Sequence, residues 1–432
     1  MYEILGSINE PKDIKKLNIE ELEALADEIR AAIINKVSKT GGHFGPNLGV
    51  VEVTLAMHYV FDSPVDKIVF DVSHQSYPHK LITGRKDYFI KDELLGKLSG
   101  FTSPKESIHD LFATGHTSTS ISLSLGLCLA RDLKKENYNI ISFIGDGSLS
   151  GGQALESLNI AGSYSGKLLI IINDNEFSIA ENHGGLYKSL KDLRKSKGKS
   201  PNNIFKAFGL DYIYEENGNN ISAMIKRLQK LTDIDKPTVL HIHTIKGKGY
   251  KPAENDSESW HSLDGFDIES GKSYKNPKEK ENYKDLTKSY IMNKAKTDKD
   301  FYLLTPAMPR SIGLNFYDRK SLGNKYLDTG IAEEACISIA AGLAKNKAKP
   351  LVVTNATFMQ RAYDQISQDL CINKLGATIL LVKSSYREAR DMTHLGIFAI
   401  PIFSNIPNLI LLCPTCKSEY LAMLDWSLSS AN

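Results

Sequence analysis

The sequence predicts an α/β protein of two domains, each a mainly parallel sheet flanked by helices. Three observations predict it. Short apolar runs alternate with amphipathic helical patterns in both halves of the chain, as in sheets buried on both faces. Two of these runs, Ile140 to Ile144 and Leu168 to Ile172, are joined by a helical pattern with Ala154, Leu155, Leu158 and Ala161 on one face. A crossover helix of that kind makes its two strands parallel neighbours. A charged, weakly periodic stretch from Asp267 to Asp300 then separates two such patterns. The expected boundaries are residues 1–266 for the first domain, 267–304 for a linker, and 305–432 for a second domain that stops one strand short.

Taken in order, Asn18 with Glu21 three residues on forms a capped helix start, and Leu22, Leu25, Ile29, Ala32 and Ile33 give that helix its apolar face. Residues 40–49 are a glycine-rich loop around His43, followed by a second helix from Val50 to Phe61. Ile68 to Val72 reads as a strand with Ser73-His74-Gln75 at its carboxyl end, and His79 and Lys80 follow. Gly115-His116-Thr117-Ser118-Thr119-Ser120 opens a helix whose backbone N–H groups and hydroxyls suit phosphate. One histidine in a loop is more often a hydrogen-bonded turn residue than a ligand. Three in short Gly/Ser turns shift the balance towards a site. The lysine-rich stretch from Ser189 to Ser200 is expected to be a solvated mobile loop. Thr238 to Ile245 is the next strand, and Lys246 to Glu254 and Trp260-His261 close the half. In the second half, strands are expected at Tyr326 to Ile331, Leu351 to Thr354, Ala377 to Val382 and Leu409 to Leu412. Helices are expected from Glu333, from Phe358 and from Lys417.

Composition excludes several functional classes. A net charge of +2 gives no electrostatic footprint for nucleic acid or a membrane surface. No apolar run approaches the ~20 residues of a membrane span, and the first residues, MYEILGSINEPKD, fit neither a signal nor a transit peptide. Five cysteines in a chain of 432 residues make no disulfide framework, so a reducing cytoplasm is expected. Cys413 and Cys416 form a lone CPTC, which reads as a loop, since a zinc site needs two more ligands.

The chemistry concentrates in Gly145-Asp146-Gly147 and Asn173-Asp174-Asn175, which end two adjacent strands. Open parallel sheets bind ligands outside the carboxyl ends of their strands. One carboxylate and one amide oxygen, Asp146 and Asn175, suit Mg²⁺ held jointly with phosphate oxygens. Turn chemistry alone also uses Gly, Asp and Asn. GDG by itself would favour that simpler role; GDG followed by NDN, each after a buried strand, favours the metal.

This pair resembles the thiamine-diphosphate motif, in which the Asp and the last Asn bind the metal that clamps the cofactor's diphosphate. From about Ile19 to Trp426 the chain resembles the 1-deoxy-D-xylulose-5-phosphate synthases of the transketolase superfamily. The segments that carry the likeness are GGHFGPNLGVVE, DVSHQSYPHKLITGR, GHTSTSIS, GDGSLSGG with NDNEFSIAEN, KGKGYKPAE, GIAEE and TFMQRAYDQ. The resemblance implies two thiamine-diphosphate-binding-type domains, diphosphate-binding first and pyrimidine-binding second. It implies a homodimer, and decarboxylative condensation of pyruvate with glyceraldehyde 3-phosphate.

By the same resemblance, Asp146 and Asn175 hold Mg²⁺, and His74, Gly115, His116, Thr117, Gly147, Ser148, Asn175 and Tyr250 line the cofactor. Glu333 bonds the pyrimidine ring, and Phe358 stacks on it. A helix N-terminal glutamate and a core phenylalanine are the plainer readings of those two. Arg361 is a substrate-binding candidate. His43, His261 and His394 are candidate proton-transfer groups. The chain departs from the family at Ala335, where the family has His, and at Asn355, where it often has Tyr. The loop from Lys383 to Asp391 is bulkier and more basic than the usual Gly/Asp-rich one, so Lys383, Arg387 or Arg390 could take an acceptor phosphate. The family's third domain has no counterpart here, so a separate chain supplying it is a further expected partner. Two rival readings remain: a homologue that binds cofactor without turnover, and a transketolase-like ketol transferase with another acceptor.

Overall fold

The computed structural model describes residues 2–274, 282–385 and 392–430. They form two compact units, Met1–Pro277 and Lys278–Asn432. Each unit is a parallel sheet between helical layers.

In the first unit the order across the sheet is Lys67–Phe70, Ile140–Gly145, Leu169–Asp174, Thr238–His243 and Asp211–Glu215, with every pairing parallel. Successive residues of a strand face opposite layers. Ile141, Phe143, Leu169, Ile171, Leu240 and Ile242 pack into a core with helices Ile19–Thr40, Val51–Val60 and Ile221–Gln229. Ile140, Ile144, Ile170, Ile172 and Val239 pack into another with helices Ser120–Leu133 and Gly152–Ala161. The expected capping box is present: the Asn18 side chain accepts from Glu21 N at 2.9 Å, and Glu21 accepts from Asn18 N at 2.8 Å.

The second sheet has the order Thr378–Val382, Lys349–Asn355, Phe301–Thr305, Tyr326–Asp328, again all parallel. Leu304 and Val352 face helix Glu333–Lys345, whereas Leu303, Leu351 and Val353 face helices Tyr283–Thr297 and Lys417–Ser430. Among the described residues, no helix is long and apolar enough to cross a membrane.

Three expectations are corrected. The stretch 267–304 is not simply a linker: helix Tyr283–Thr297 and strand Phe301–Thr305 belong to the second unit. The helix is anchored by only a few apolar residues, Leu286 and Ile291 among them, so its charged faces masked it. The lysine-rich stretch is not a solvated mobile loop at its start, because helix Gly185–Lys195 buries Leu190 and Leu193. Leu409 to Leu412 form no strand, and Ile410 stands 66% exposed in a segment leading to Cys413 and Cys416, both exposed and free.

Candidate active site

Asp146 follows the strand Ile140–Gly145, and Asn175 follows Leu169–Asp174; Gly145 lies opposite Asn173 in the register. The crossover through helix Gly152–Ala161 is what makes these two ends adjacent. Asp146 is fully buried and accepts from Asn182 Nδ2 at 2.8 Å. Burial, and then the nearby Asp174, push its pKa well above the usual carboxylate range. A divalent cation beside it would reverse that, because an opposite charge favours the ionised form. Asn175 Oδ1 accepts from Phe177 N at 3.2 Å and keeps a second lone pair. Gly147 has no room for a side chain: a Cβ there would lie 2.5 Å from Ser178 Cβ. Among the described residues no three His, Cys, Asp or Glu side chains converge as a metal site. The donor set is therefore one carboxylate plus amide oxygens, which fits a hard cation that shares its oxygens with a bound diphosphate.

Behind this edge, Asp174 is held by Arg194 and by His241, whose Nε2 donates to it at 2.9 Å. Despite burial, these two partners bring its carboxyl down to about 2. Gly115, His116 and Thr117 precede helix Ser120–Leu133. The loop is fixed by Asp71, which accepts from Ser118 N at 2.8 Å and Ser120 N at 3.0 Å. Ser118 Oγ donates to Ser148 O at 2.8 Å, which ties the GHT loop to the GDG turn.

The histidines separate into two groups. Gly42–His43 pairs antiparallel with Ser262–Leu263, which brings His43 and His261 together. Their ring centroids are 5.8 Å apart, and His74 lies 5.2 Å from His43 and 5.6 Å from His261. The ribbon needs Gly42, whose φ is 131° and whose Cβ would meet the Tyr77 hydroxyl at 2.7 Å. Burial, and secondarily the charge of Lys246, push the His261 pKa well below its ordinary value. His79 belongs to a buried network instead. It donates from Nε2 to Asp110 at 2.9 Å, Nδ1 faces His58 Nε2 at 2.9 Å, and burial lowers its pKa to about 4. Arg85 grips the same Asp110, and Asp110 accepts from Ser103 N at 2.8 Å. Tyr250 packs against Phe44, Trp260 and Phe266 and donates its hydroxyl to Ile268 O at 2.9 Å, so its ring is committed to that aromatic cluster.

In the second unit, Glu333 is the first residue of helix Glu333–Lys345 and is 3% exposed. Its Oε2 has no hydrogen-bond partner among the described residues and lies 3.9 Å from Arg361 Nη1. Burial raises its pKa to about 7 against the opposing pull of Arg361. An orphaned buried carboxyl oxygen fits a partner that donates to it, as the pyrimidine ring of the expected cofactor would. Phe358 meets the His394 ring edge-on, with centroids 5.5 Å apart. Thr393 Oγ1 lies 2.9 Å from His394 Nδ1. Glu333 is thus paired with Arg361, and Phe358 with His394. Asn355 is turned to Ser311, whose hydroxyl donates to its Oδ1 at 3.2 Å. Lys383 ends the strand Thr378–Val382 with φ at 58°, whereas Arg387 and Arg390 lie outside the described residues.

Sequence reasoning missed Asn182, Asp71, Asp174 and Lys246 as members of this environment. All four stand inside quoted motifs, but only the fold turns the side chains of Asp71 and Asn182 towards Ser118 and Asp146.

Residues 5–202 match the family described as 1-deoxy-D-xylulose-5-phosphate synthase. Residues 118–289 match the transketolase thiamine diphosphate binding domain, and residues 280–432 the transketolase pyrimidine binding domain. Curated relatives named 1-deoxy-D-xylulose-5-phosphate synthase include one from Listeria monocytogenes, 42% identical over 99% of this chain and 71% of the relative. One from Clostridium beijerinckii is 40% identical over 99% of this chain and 74% of the relative. One from Thermus thermophilus is 40% identical over 98% and 74%. Among solved structures, a transketolase from Campylobacter jejuni aligns with a TM-score of 0.48 at 17% identity, over 96% of this chain and 77% of that one.

Proposed function

The chain belongs to the 1-deoxy-D-xylulose-5-phosphate synthase family, and on that premise we propose that it condenses pyruvate with glyceraldehyde 3-phosphate, with loss of CO₂, to 1-deoxy-D-xylulose 5-phosphate. It is a transferase that uses thiamine diphosphate, with Mg²⁺ as the partner metal. When bound, the cofactor supplies the carbon nucleophile, and the protein supplies binding, orientation and proton control. Asp146 and Asn175 hold the metal, and the GHT and GDG turns receive the diphosphate. Glu333, with a pKa about 7, holds or releases a proton at working pH, which an ordinary exposed glutamate does not do. His261 stays neutral there, so it is a proton acceptor next to His43 and His74. Arg361 offers a fixed cation for an anionic substrate group.

The single observation that carries this reading is Glu333: a buried carboxyl with one oxygen that accepts no hydrogen bond among the described residues, and a pKa moved towards neutrality. The likeness to the family supports a homodimer as the working form, in a reducing cytoplasm that suits five free cysteines. The function is tested by following pyruvate consumption and product formation with and without glyceraldehyde 3-phosphate. Consumption that depends on the aldehyde is the expected result. Cofactor binding with no turnover under any acceptor would favour the rival binding-protein reading.

A further inference from the structure

We propose that Asn182 belongs to the cation site: its amide nitrogen orients Asp146, and its carbonyl oxygen is offered to the cation or to that ion's hydration shell. This rests on the reading of Asp146 and Asn175 as metal ligands. Asn182 lies in the connection between strand Leu169–Asp174 and helix Gly185–Lys195, the same connection that begins with Asn175. That connection folds back on itself. Phe177 bridges Glu181 antiparallel, and Ser178 N donates to Ala180 O at 3.1 Å. The fold-back returns Asn182 to the strand end where the chain had left Asn175. Lys246 pins it by donating from Nζ to Ser178 O at 2.7 Å.

Asn182 Nδ2 lies 2.8 Å from Asp146 Oδ2. A cation bound at Asp146 keeps its carboxyl ionised and therefore accepting only, so in the metal-bound site the amide presents its nitrogen there. Its Oδ1 must then point away from Asp146 Oδ2. That oxygen is buried and meets no donor among the described residues. A side chain kept only to brace the turn would have both ends satisfied. One with its nitrogen on a metal-binding carboxylate and its oxygen open has the form of a residue that orients a ligand and completes the shell around the ion.

The test uses the full chain with thiamine diphosphate and Mn²⁺ as the probe, free Mn²⁺ being read by electron paramagnetic resonance and Mg²⁺ by competition. Asn182→Leu should weaken Mn²⁺ about ten- to a hundredfold while leaving the metal-free melting temperature unchanged. Should the leucine variant melt early without metal, Asn182→Ser carries the same expectation, since its hydroxyl is too short to reach Asp146. Asn182→Asp, which keeps an oxygen in place, should retain Mn²⁺ and alter the line shape of the bound ion. Asp146→Ala serves as the separate arm. If it abolishes Mn²⁺ binding while a folded Asn182 variant binds as the unaltered chain does, the role given to Asn182 is overturned and the metal reading stands. If Asp146→Ala binds normally, the metal reading itself fails.

Discussion

Glu333 brings stability and chemistry into conflict at one carboxyl. Its pKa is about 7 in the folded chain against an ordinary 4.5, because burial disfavours the charge. Between those values the folded chain keeps a proton that the unfolded chain releases, so stability falls as pH rises through that window. The full effect is on the order of 3 kcal/mol for a group so completely buried. Glu333→Gln should therefore be more stable than the unaltered chain at pH 8 and similar to it at pH 5, in metal-free urea unfolding of the second unit. Equal pH dependence in both would show that the carboxyl is not held neutral by burial. The same variant should lose turnover, since an amide neither takes nor gives a proton at that position. The placing of Asp146 and Asn175 at the ends of adjacent strands was legible in the sequence, because each follows a continuous apolar run that ends in a Gly- or Asn-rich turn. Asn182 was not legible, because its meaning depends on a loop that doubles back.

The elements that were legible are those whose burial is two-sided. Ile140–Gly145 and Leu169–Asp174 are continuous apolar runs, and central parallel strands require that. Asp211–Glu215 escaped notice because it is an edge strand reading D-Y-I-Y-E, with its first residue exposed. Leu409 to Leu412 misled in the opposite direction: four apolar residues in a row, without a partner strand among the described residues. Ile410→Lys should change stability by no more than about 0.5 kcal/mol, as for an exposed site, whereas Leu351→Ala should cost about 2–5 kcal/mol. A large loss in Ile410→Lys, measured by urea denaturation, would restore the expected strand. Helix Gly185–Lys195 is fixed to the sheet through Arg194, paired with buried Asp174 and, at 2.9 Å, with Glu176. Arg194→Leu removes one of two cationic or donating partners and should destabilise the first unit by about 3–5 kcal/mol. Burial holds His241 below its ordinary pKa, so it does not replace the missing charge near neutrality, and the loss should be the same at pH 6 and pH 8. A loss that shrinks at pH 6 would mean that His241 takes up a proton there and shares the load.

At the scale of the whole molecule, the buried apolar residues among those described gather into four clusters, two drawn from residues before 267 and two from residues after 285. Each unit thus has apolar clusters of its own among the described residues, and with them the means to fold alone. The chemistry divides along the same line. The proposed metal and diphosphate set, Asp146, Asn175, Gly147, Ser148 and the GHT loop, is wholly in the first unit, and Glu333 is in the second. Residues 1–274 alone should therefore unfold cooperatively and bind Mg²⁺-pyrophosphate in a manner that Asp146→Ala removes, as read by calorimetry. Thiamine diphosphate should bind that piece more weakly than it binds the full chain, because the contact from Glu333 is missing. A hydrogen bond to a charged group is worth about 1.5–3 kcal/mol, which is roughly a ten- to hundredfold difference in affinity. Pyrophosphate should show no such difference, since it has no ring for Glu333 to meet. Equal loss of both ligands in the shorter chain would mean that the second unit shapes the diphosphate site itself, and the division of labour drawn from these residues would be wrong.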